Sequence, residues 1–316
     1  MNYKLKTVDI IICVHNALED VKKCLSAILE NTTYPYQLYI INDGSAQETT
    51  DFLNNFCTQH PITILLHNET AQGYTKAANK GLQTAKSDYV ILLNSDTIVS
   101  TLWLEGMLEC GESDPKIGII GALSNAASWQ SVPERFAGKD WAINELPIDL
   151  TVNDMAKIVS QVSEKCFPRV PFVNGFCFAI KRQLIEKIGY LDDIHFPKGY
   201  GEENDYCLRA ANANFTLAIA DHVYIYHAKS KSYTHNRRAE LSRQGDKALK
   251  KKHGTRIINQ HVKSLRTNSD LANIRKKLKS ALKHYQIKDI QSPKIMNRFF
   301  NLSILKDRFL KIIKIN

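Results

Sequence analysis

Residues 89–97, YVILLNSDT, decide the fold. Their apolar run suits a strand covered by helices on both faces, and it stops abruptly on Asn94, Ser95 and Asp96. Polar groups at such a strand end project from the carboxyl edge of a parallel sheet, where open α/β sheets bind ligands.

Working backward from this strand, residues 72–85 read as a helix, 62–66 as a strand, 47–60 as a helix and 38–41 as a strand ending in Asn42-Asp43-Gly44-Ser45. Before them, Val21, Cys24, Leu25, Ile28 and Leu29 recur at helical spacing after the strand pattern of residues 8–14. Such alternation with short loops predicts right-handed crossovers and a mostly parallel sheet, so residues 1–100 form an α/β layer of nucleotide-binding type. Working forward, a helix is expected at 102–110, a strand at 117–121 and a long irregular stretch at 125–147 carrying Trp129, Pro133 and Trp141. A strand at 172–181, a helix at 182–189, a helix from about Glu203 and short strands at 217–220 and 223–226 complete residues 101–235, the second half of the same domain. Residues 236–316 read as a basic helical extension without a second core.

Hydrophobic residues make up 44% of the 316, enough for a sizeable core. No apolar run reaches the ~18 residues of a membrane span, and the first residues enter a strand pattern directly, so a cytoplasmic protein is expected. Seven cysteines are scattered without a CxxC pair, which predicts free thiols. The net charge of +10 conceals an asymmetry: residues 236–316 hold 22 Lys/Arg against 5 Asp/Glu, leaving the body mildly acidic. An anionic partner for the tail follows, such as a membrane surface or a polyanion.

Asp43 and Asp96 both stand at strand ends on the carboxyl edge. Asp96 there suits a divalent cation holding nucleotide phosphates, while ordinary Asp turns are the simpler alternative for either residue. Small residues from Gly73 to Gly81 allow close approach of a strand or ligand at a helix start that favours phosphate. No Walker sequence occurs. Glu202, Glu203 and Asp205 crowd another helix start; capping accounts for one of them, and three exceed that need. Crowded carboxylates raise one another's pKa, as suits a general base. His227 ends a strand and precedes Lys229, Ser230, Lys231 and Ser232, which suit phosphate oxygens; a surface histidine is the plainer reading.

Together, VDIIICVHNA, LYIINDGS, the Gly73 to Leu82 segment, YVILLNSDT, VNGFCFAIKR and FPKGYGEENDYCLRA, followed by His227, resemble the family 2 glycosyltransferases of GT-A fold over about residues 8–235. The resemblance implies an inverting, metal-dependent enzyme that moves a sugar from a nucleoside diphosphate sugar, UDP-linked, to a hydroxyl of a glycan or lipid-linked acceptor, as in bacterial surface polysaccharide synthesis. It implies that Asp43 reads the uracil or ribose, with Val14, His15 and Asn79 lining the donor pocket beside Ser95. Asp96 corresponds to the last acid of the DXD motif and, with His227, to the ligands of a Mn or Mg ion. Asn94 replaces the first carboxylate of that motif. Glu203 corresponds to the catalytic base, with Glu202 and Asp205 as supporting acids and Arg209 placed to pair with Asp205. Trp103, Trp129, Gly175 and Phe176 would shape the sugar and acceptor pocket, although core packing suits both Trp residues equally. A sugar-nucleotide pyrophosphorylase is disfavoured, because Cys13-Val14-His15-Asn16 stands where that family has a glycine-rich loop.

Residues 297–315 place Phe299, Leu302, Leu305, Phe309, Leu310, Ile312 and Ile313 on one helical face, interrupted by Lys306. A basic amphipathic helix of this kind suits the inner face of an anionic membrane, or docking on this chain or a partner. A nucleic-acid-binding protein is the alternative class, disfavoured because aromatic residues do not interleave with the basic ones and the tail leaves the acidic body unexplained.

Overall fold

The computed structural model describes residues 5–229 and 235–290. Strands and helices alternate as the periodicity predicts through β1 (Val8–Val14), α1 (Leu18–Asn31), β2 (Gln37–Asp43), α2 (Gln47–Gln59), β3 (Thr63–Asn68), α3 (Tyr74–Thr84) and β4 (Tyr89–Asn94). There follow β5 (Thr97–Ile98), α4 (Trp103–Glu112), β6 (Ile117–Leu123), a 3-10 turn (Ser128–Gln130), the hairpin β7 (Phe136–Ala137) and β8 (Asp140–Trp141), and α5 (Val152–Val162). The chain continues through β9 (Cys177–Lys181), α6 (Arg182–Ile188), α7 (Glu202–Asn212), β10 (Thr216–Tyr224) and β11 (Tyr226–His227) to the helices α8 (His235–His253), α9 (Thr255–Arg266) and α10 (Ser269–Ile290).

Seven strands form the main sheet in the order β10-β6-β9-β4-β1-β2-β3, with β4 in the middle. All neighbours pair parallel except β9, which runs antiparallel to β4 and β6. Leu92 of β4 therefore lies between Ile11 and Phe178, which explains why its strand is apolar on both faces. On one face of the sheet Val21, Leu25, Leu53, Trp103 and Met107 pack from α1, α2 and α4. The other carries Ala77, Met155, Leu184 and Tyr206 from α3, α5, α6 and α7. A Cβ at Gly81 would overlap the Ile11 side chain, so the small residues of α3 serve close packing on β1.

Three departures from the sequence pattern have local causes. The expected strand at 172–181 pairs only from Cys177, and the residues before it form a loop. The two short strands expected at 217–226 are mostly one, β10, whose register shifts between Ala220 and Tyr224. Helix α5 was not expected, although Thr151 and Asp154 form a full capping box ahead of buried Met155, Ile158 and Val159.

The basic helices do not hang free of the body. Leu249, Ile258, Leu265, Leu271, Ile274 and Leu278 join the same core as α5 and α7, so the charge of α8 to α10 lies around an apolar stripe that is already covered. Among the described residues no helix is long and apolar enough to cross a membrane. The seven cysteines are free thiols. Ser230, Lys231, Ser232 and the amphipathic segment at 297–315 lie outside the described residues.

Candidate active site

After β4 the chain turns at Ser95 and Asp96, with Thr97 Oγ1 donating to the Asn94 carbonyl at 2.8 Å. The short strand β5 then pairs antiparallel with β11, setting His227 opposite Thr97, and the Ala228 N–H donates to the Asp96 carbonyl at 2.9 Å. This pairing brings His227 Nε2 to 3.3 Å from Asp96 Oδ1. At the other side of the ring, Nδ1 lies 3.0 Å from the Ala126 carbonyl. A carbonyl only accepts, so Nδ1 carries a proton, and Nε2 is the ring nitrogen that faces Asp96. Phe176 stacks on the imidazole at 5.4 Å and 17°. Asn125 brackets the His227 backbone, accepting its N–H at 2.7 Å and donating to its carbonyl at 3.1 Å.

One carboxylate oxygen and one oriented imidazole nitrogen fit a divalent cation such as Mn or Mg. Among the described residues no group of three or more His, Cys, Asp or Glu is placed to hold a metal ion by itself.

The carboxylate pair begins α7, after Gly199, Tyr200 and Gly201 with φ of 85°, 65° and 132°. Glu202 is buried, and among the described residues its Oε2 has no hydrogen-bond partner. Burial, and then the charge of Glu203, push its pKa well above the usual carboxylate range. Glu203 is half-buried, and burial raises it too. The Gly201 N–H at 3.2 Å and the Asn204 side-chain amide at 3.3 Å donate to its oxygens and favour its ionised form. Its side chain lies against Gly175, where a Cβ would be 3.6 Å from the Glu203 Cβ and Cγ.

Other predicted residues are engaged elsewhere. Asp43 Oδ1 accepts from the Asn68 amide and the Gln72 N–H, both at 2.8 Å, and its Oδ2 accepts from the Gly73 N–H at 2.9 Å. Three of roughly four lone-pair positions are thereby occupied in shaping the loop before α3. His15 Nδ1–H donates to the Asp43 carbonyl at 2.8 Å, which places the imidazole beside that loop. Val14 is fully buried, and Ser95 is half-buried in the turn before Asp96. The Asn79 amide donates to the Leu191 carbonyl at 2.9 Å and accepts the Leu191 N–H at 3.0 Å, which ties α3 to the loop after α6. Phe176 is buried and gives its face to His227, supporting the imidazole.

Trp103 is a core residue, fully buried with its Nε1–H donated to Thr32 Oγ1 at 2.9 Å. Trp129 lies differently, edge-on to Phe136 and Trp141 in the loop that also supplies Ala126. Within that loop Gln130 accepts the Asn174 N–H at 2.6 Å and donates to the Ala122 carbonyl at 2.7 Å, joining the loop to the approach of Gly175.

Asp205 faces away from the pair as an anchor for the C-terminal helices. It takes Arg209 Nε at 2.8 Å, one turn on as expected, together with Lys252 Nζ at 2.6 Å and His253 Nε2 at 2.7 Å. Burial would raise its pKa, but hydrogen bonds from Lys252, His253 and Arg209 hold it below the usual value. Helix α8 crosses the loop before Glu202 so closely that a Cβ at Gly245 would overlap the Tyr200 carbonyl oxygen. From α10, buried Arg275 donates Nε to the Ser131 carbonyl at 3.0 Å and Nη2 to the Trp129 carbonyl. Asn125, Gln130 and Gly245 carry no signal in the sequence, because each acts through a contact distant in sequence, and Arg275, which its basic run Arg275-Lys276-Lys277 would place on a solvated face, is buried.

The description "Glycosyl transferase family 2" fits residues 9–189. Glycosyltransferase GlyG of Streptococcus pneumoniae serotype 4 is 22% identical over 229 residues, 71% of this chain and 72% of that protein. Chondroitin synthase of Escherichia coli is 23% identical over 215 residues, which cover 63% of this chain and only 31% of that longer protein. A solved mannosyltransferase, PcManGT from Pyrobaculum calidifontis in complex with GDP-Man and Mn2+, shares the fold with a TM-score of 0.60 at 17% identity, covering 96% of this chain and 81% of its own. With the family spanning more than half of the sequence, and the strand-end acids, the histidine and the carboxylate pair gathered on a GT-A sheet, this chain belongs to glycosyl transferase family 2.

Proposed function

We propose that the protein is an inverting transferase that moves a sugar from a UDP-linked donor to a hydroxyl of a glycan or lipid-linked acceptor in surface polysaccharide synthesis, with a divalent cation at Asp96 and His227. The observation that carries this reading is the Nε2 to Oδ1 approach of 3.3 Å, with the ring oriented by Ala126. When bound, the ion supplies positive charge that stabilises a departing diphosphate.

Glu203 is the base. Its ionised oxygen accepts the proton of the acceptor hydroxyl, and that oxygen forms a bond to the anomeric carbon as the bond to the diphosphate breaks. The bonding pair leaves with the nucleoside diphosphate. Attack from the face opposite the leaving group inverts the anomeric centre. Burial raises the Glu202 pKa and so disfavours a second charge beside the base, and Gly175 leaves space against the Glu203 side chain.

The basic residues after α10 bring the enzyme to the inner face of an anionic membrane, near a lipid-linked acceptor. Support comes from their charge and apolar pattern. Truncation after Lys283 is expected to abolish binding to anionic liposomes while sparing transfer to a soluble acceptor, and surviving liposome binding would refute the assignment.

A thermal-shift panel of nucleoside diphosphate sugars, with and without manganese, tests the donor site. Stabilisation by a UDP-sugar that requires manganese and disappears in Asp96→Ala is expected. A protein stabilised by none of them, with no nucleotide released, would overturn the reading.

A further inference from the structure

The hairpin β7–β8 and the turn before it build a surface that the donor site does not use. Trp129 stands edge-on to Trp141 at 4.9 Å, Phe136 and Trp141 stack at 4.8 Å, and both of the latter are more than a third exposed. The Arg135 guanidinium lies 4.7 Å from the centre of the Phe136 ring and 5.2 Å from that of Trp129. Among the described residues its N–H groups have no carboxylate partner.

Positive charge is crowded here. Burial and then Arg266 lower the Arg135 pKa; burial and then Arg135 lower that of Arg275 to about 10, with Glu134 opposing. Glu134 itself pairs with Lys279 at 2.7 Å, and Asp140 at the hairpin is exposed. Like charges held together in partial burial are unfavourable unless an anion settles among them.

The surface is tied to the site described above. Ala126, which orients His227, lies in the same loop as Trp129, and the Asn125 carbonyl accepts the backbone and side-chain N–H groups of Asn144 beyond the hairpin at 3.1 and 2.8 Å.

We propose that Trp129, Phe136, Trp141 and Arg135 bind an acidic pyranose of the acceptor, a sugar whose ring carries a carboxylate. Flat apolar rings stack on the CH faces of a pyranose, and the planar guanidinium matches a carboxylate. A carboxylate is attached directly to the sugar ring, so one residue reaches both the aromatic faces and the guanidinium set against them; a phosphate ester stands further out. That this sugar is the acceptor rests on the transferase reading.

Tryptophan fluorescence of the full chain, titrated without donor, tests the site with a trisaccharide ending in glucuronate, the same trisaccharide ending in glucose, and a glucose phosphate. The glucuronate should bind about tenfold more tightly than its neutral counterpart, as a charge-assisted pair implies. Arg135→Gln should erase that preference, Arg135→Lys should restore part of it, and Trp141→Ala should weaken both trisaccharides. Equal binding of the two trisaccharides, tighter binding of the phosphate, or a preference that survives Arg135→Gln would overturn the proposal. Donor turnover is followed in parallel. Turnover without a carboxylate preference sinks this inference alone, whereas the preference without turnover sinks the transferase reading and leaves the sugar site standing.

Discussion

Asn125 holds His227 by its backbone on both sides, with Oδ1 at 2.7 Å from the N–H and Nδ2 at 3.1 Å from the carbonyl oxygen. Its neighbour Ala126 orients the ring. A loop far from β11 in sequence thus sets both the position and the ring orientation of the histidine that faces Asp96.

Asn125→Ala removes that bracket and leaves two buried backbone groups unpaired. Manganese affinity, read by titration calorimetry in the presence of nucleotide, should fall by roughly 10- to 100-fold, as for other groups that orient a metal ligand. Unchanged affinity in a folded variant would refute the orienting role.

Glu203→Gln should lower transfer by about 10²- to 10⁴-fold while leaving nucleotide and manganese binding near the wild-type value. Because burial raises the Glu203 pKa above its ordinary 4.5 and the base works ionised, kcat/KM should decline with falling pH from an acid limb above that value. The limb should be absent from the residual activity of the variant; full activity in Glu203→Gln would remove the base assignment.

Glu202 affects stability in the opposite sense to an ion-paired acid. Its folded pKa is raised, so its favourable contribution is complete below the unfolded value and is lost as pH rises through the folded one. Glu202→Gln is therefore expected to be more stabilising at pH 8 than at pH 4. Denaturant unfolding at the two pH values checks the sign, and an effect at pH 8 no more favourable than at pH 4 would contradict it.

Gly245→Ala drives a methyl group into the Tyr200 carbonyl, displacing the loop that presents Glu202 and Glu203. A loss of about 1–3 kcal/mol in stability and a fall in kcat larger than any rise in donor KM are expected. An unaltered kcat would mean that α8 does not position that loop.

Trp103→Ala should cost roughly 3–5 kcal/mol, the range for a large aromatic removed from a packed core, with no change in sugar KM. A shift in KM without loss of stability would return Trp103 to a sugar pocket.

Apolar periodicity made the strands legible from β1 to β4, because burial on a sheet flanked by helices is recorded locally in every strand. The same locality exposed Asp96 and the Glu202–Glu203 pair, since an acid at a strand end or helix start is marked by its neighbours. Helix α5 carried its own signal in Thr151 and Asp154, which went unread beside the irregular stretch preceding it.

The sequence by itself determined the α/β order, the carboxyl edge and the acids that stand on it. Only the tertiary structure decided which of those polar groups remain for chemistry. Asn79 is committed to Leu191, Asp205 to Lys252 and His253, and Asp43 largely to the loop before α3, whereas His227 reaches Asp96 through the pairing of β11 with β5. The physical reason is that a buried polar side chain must find a partner, and the partner is chosen by packing between distant segments, which no local pattern records.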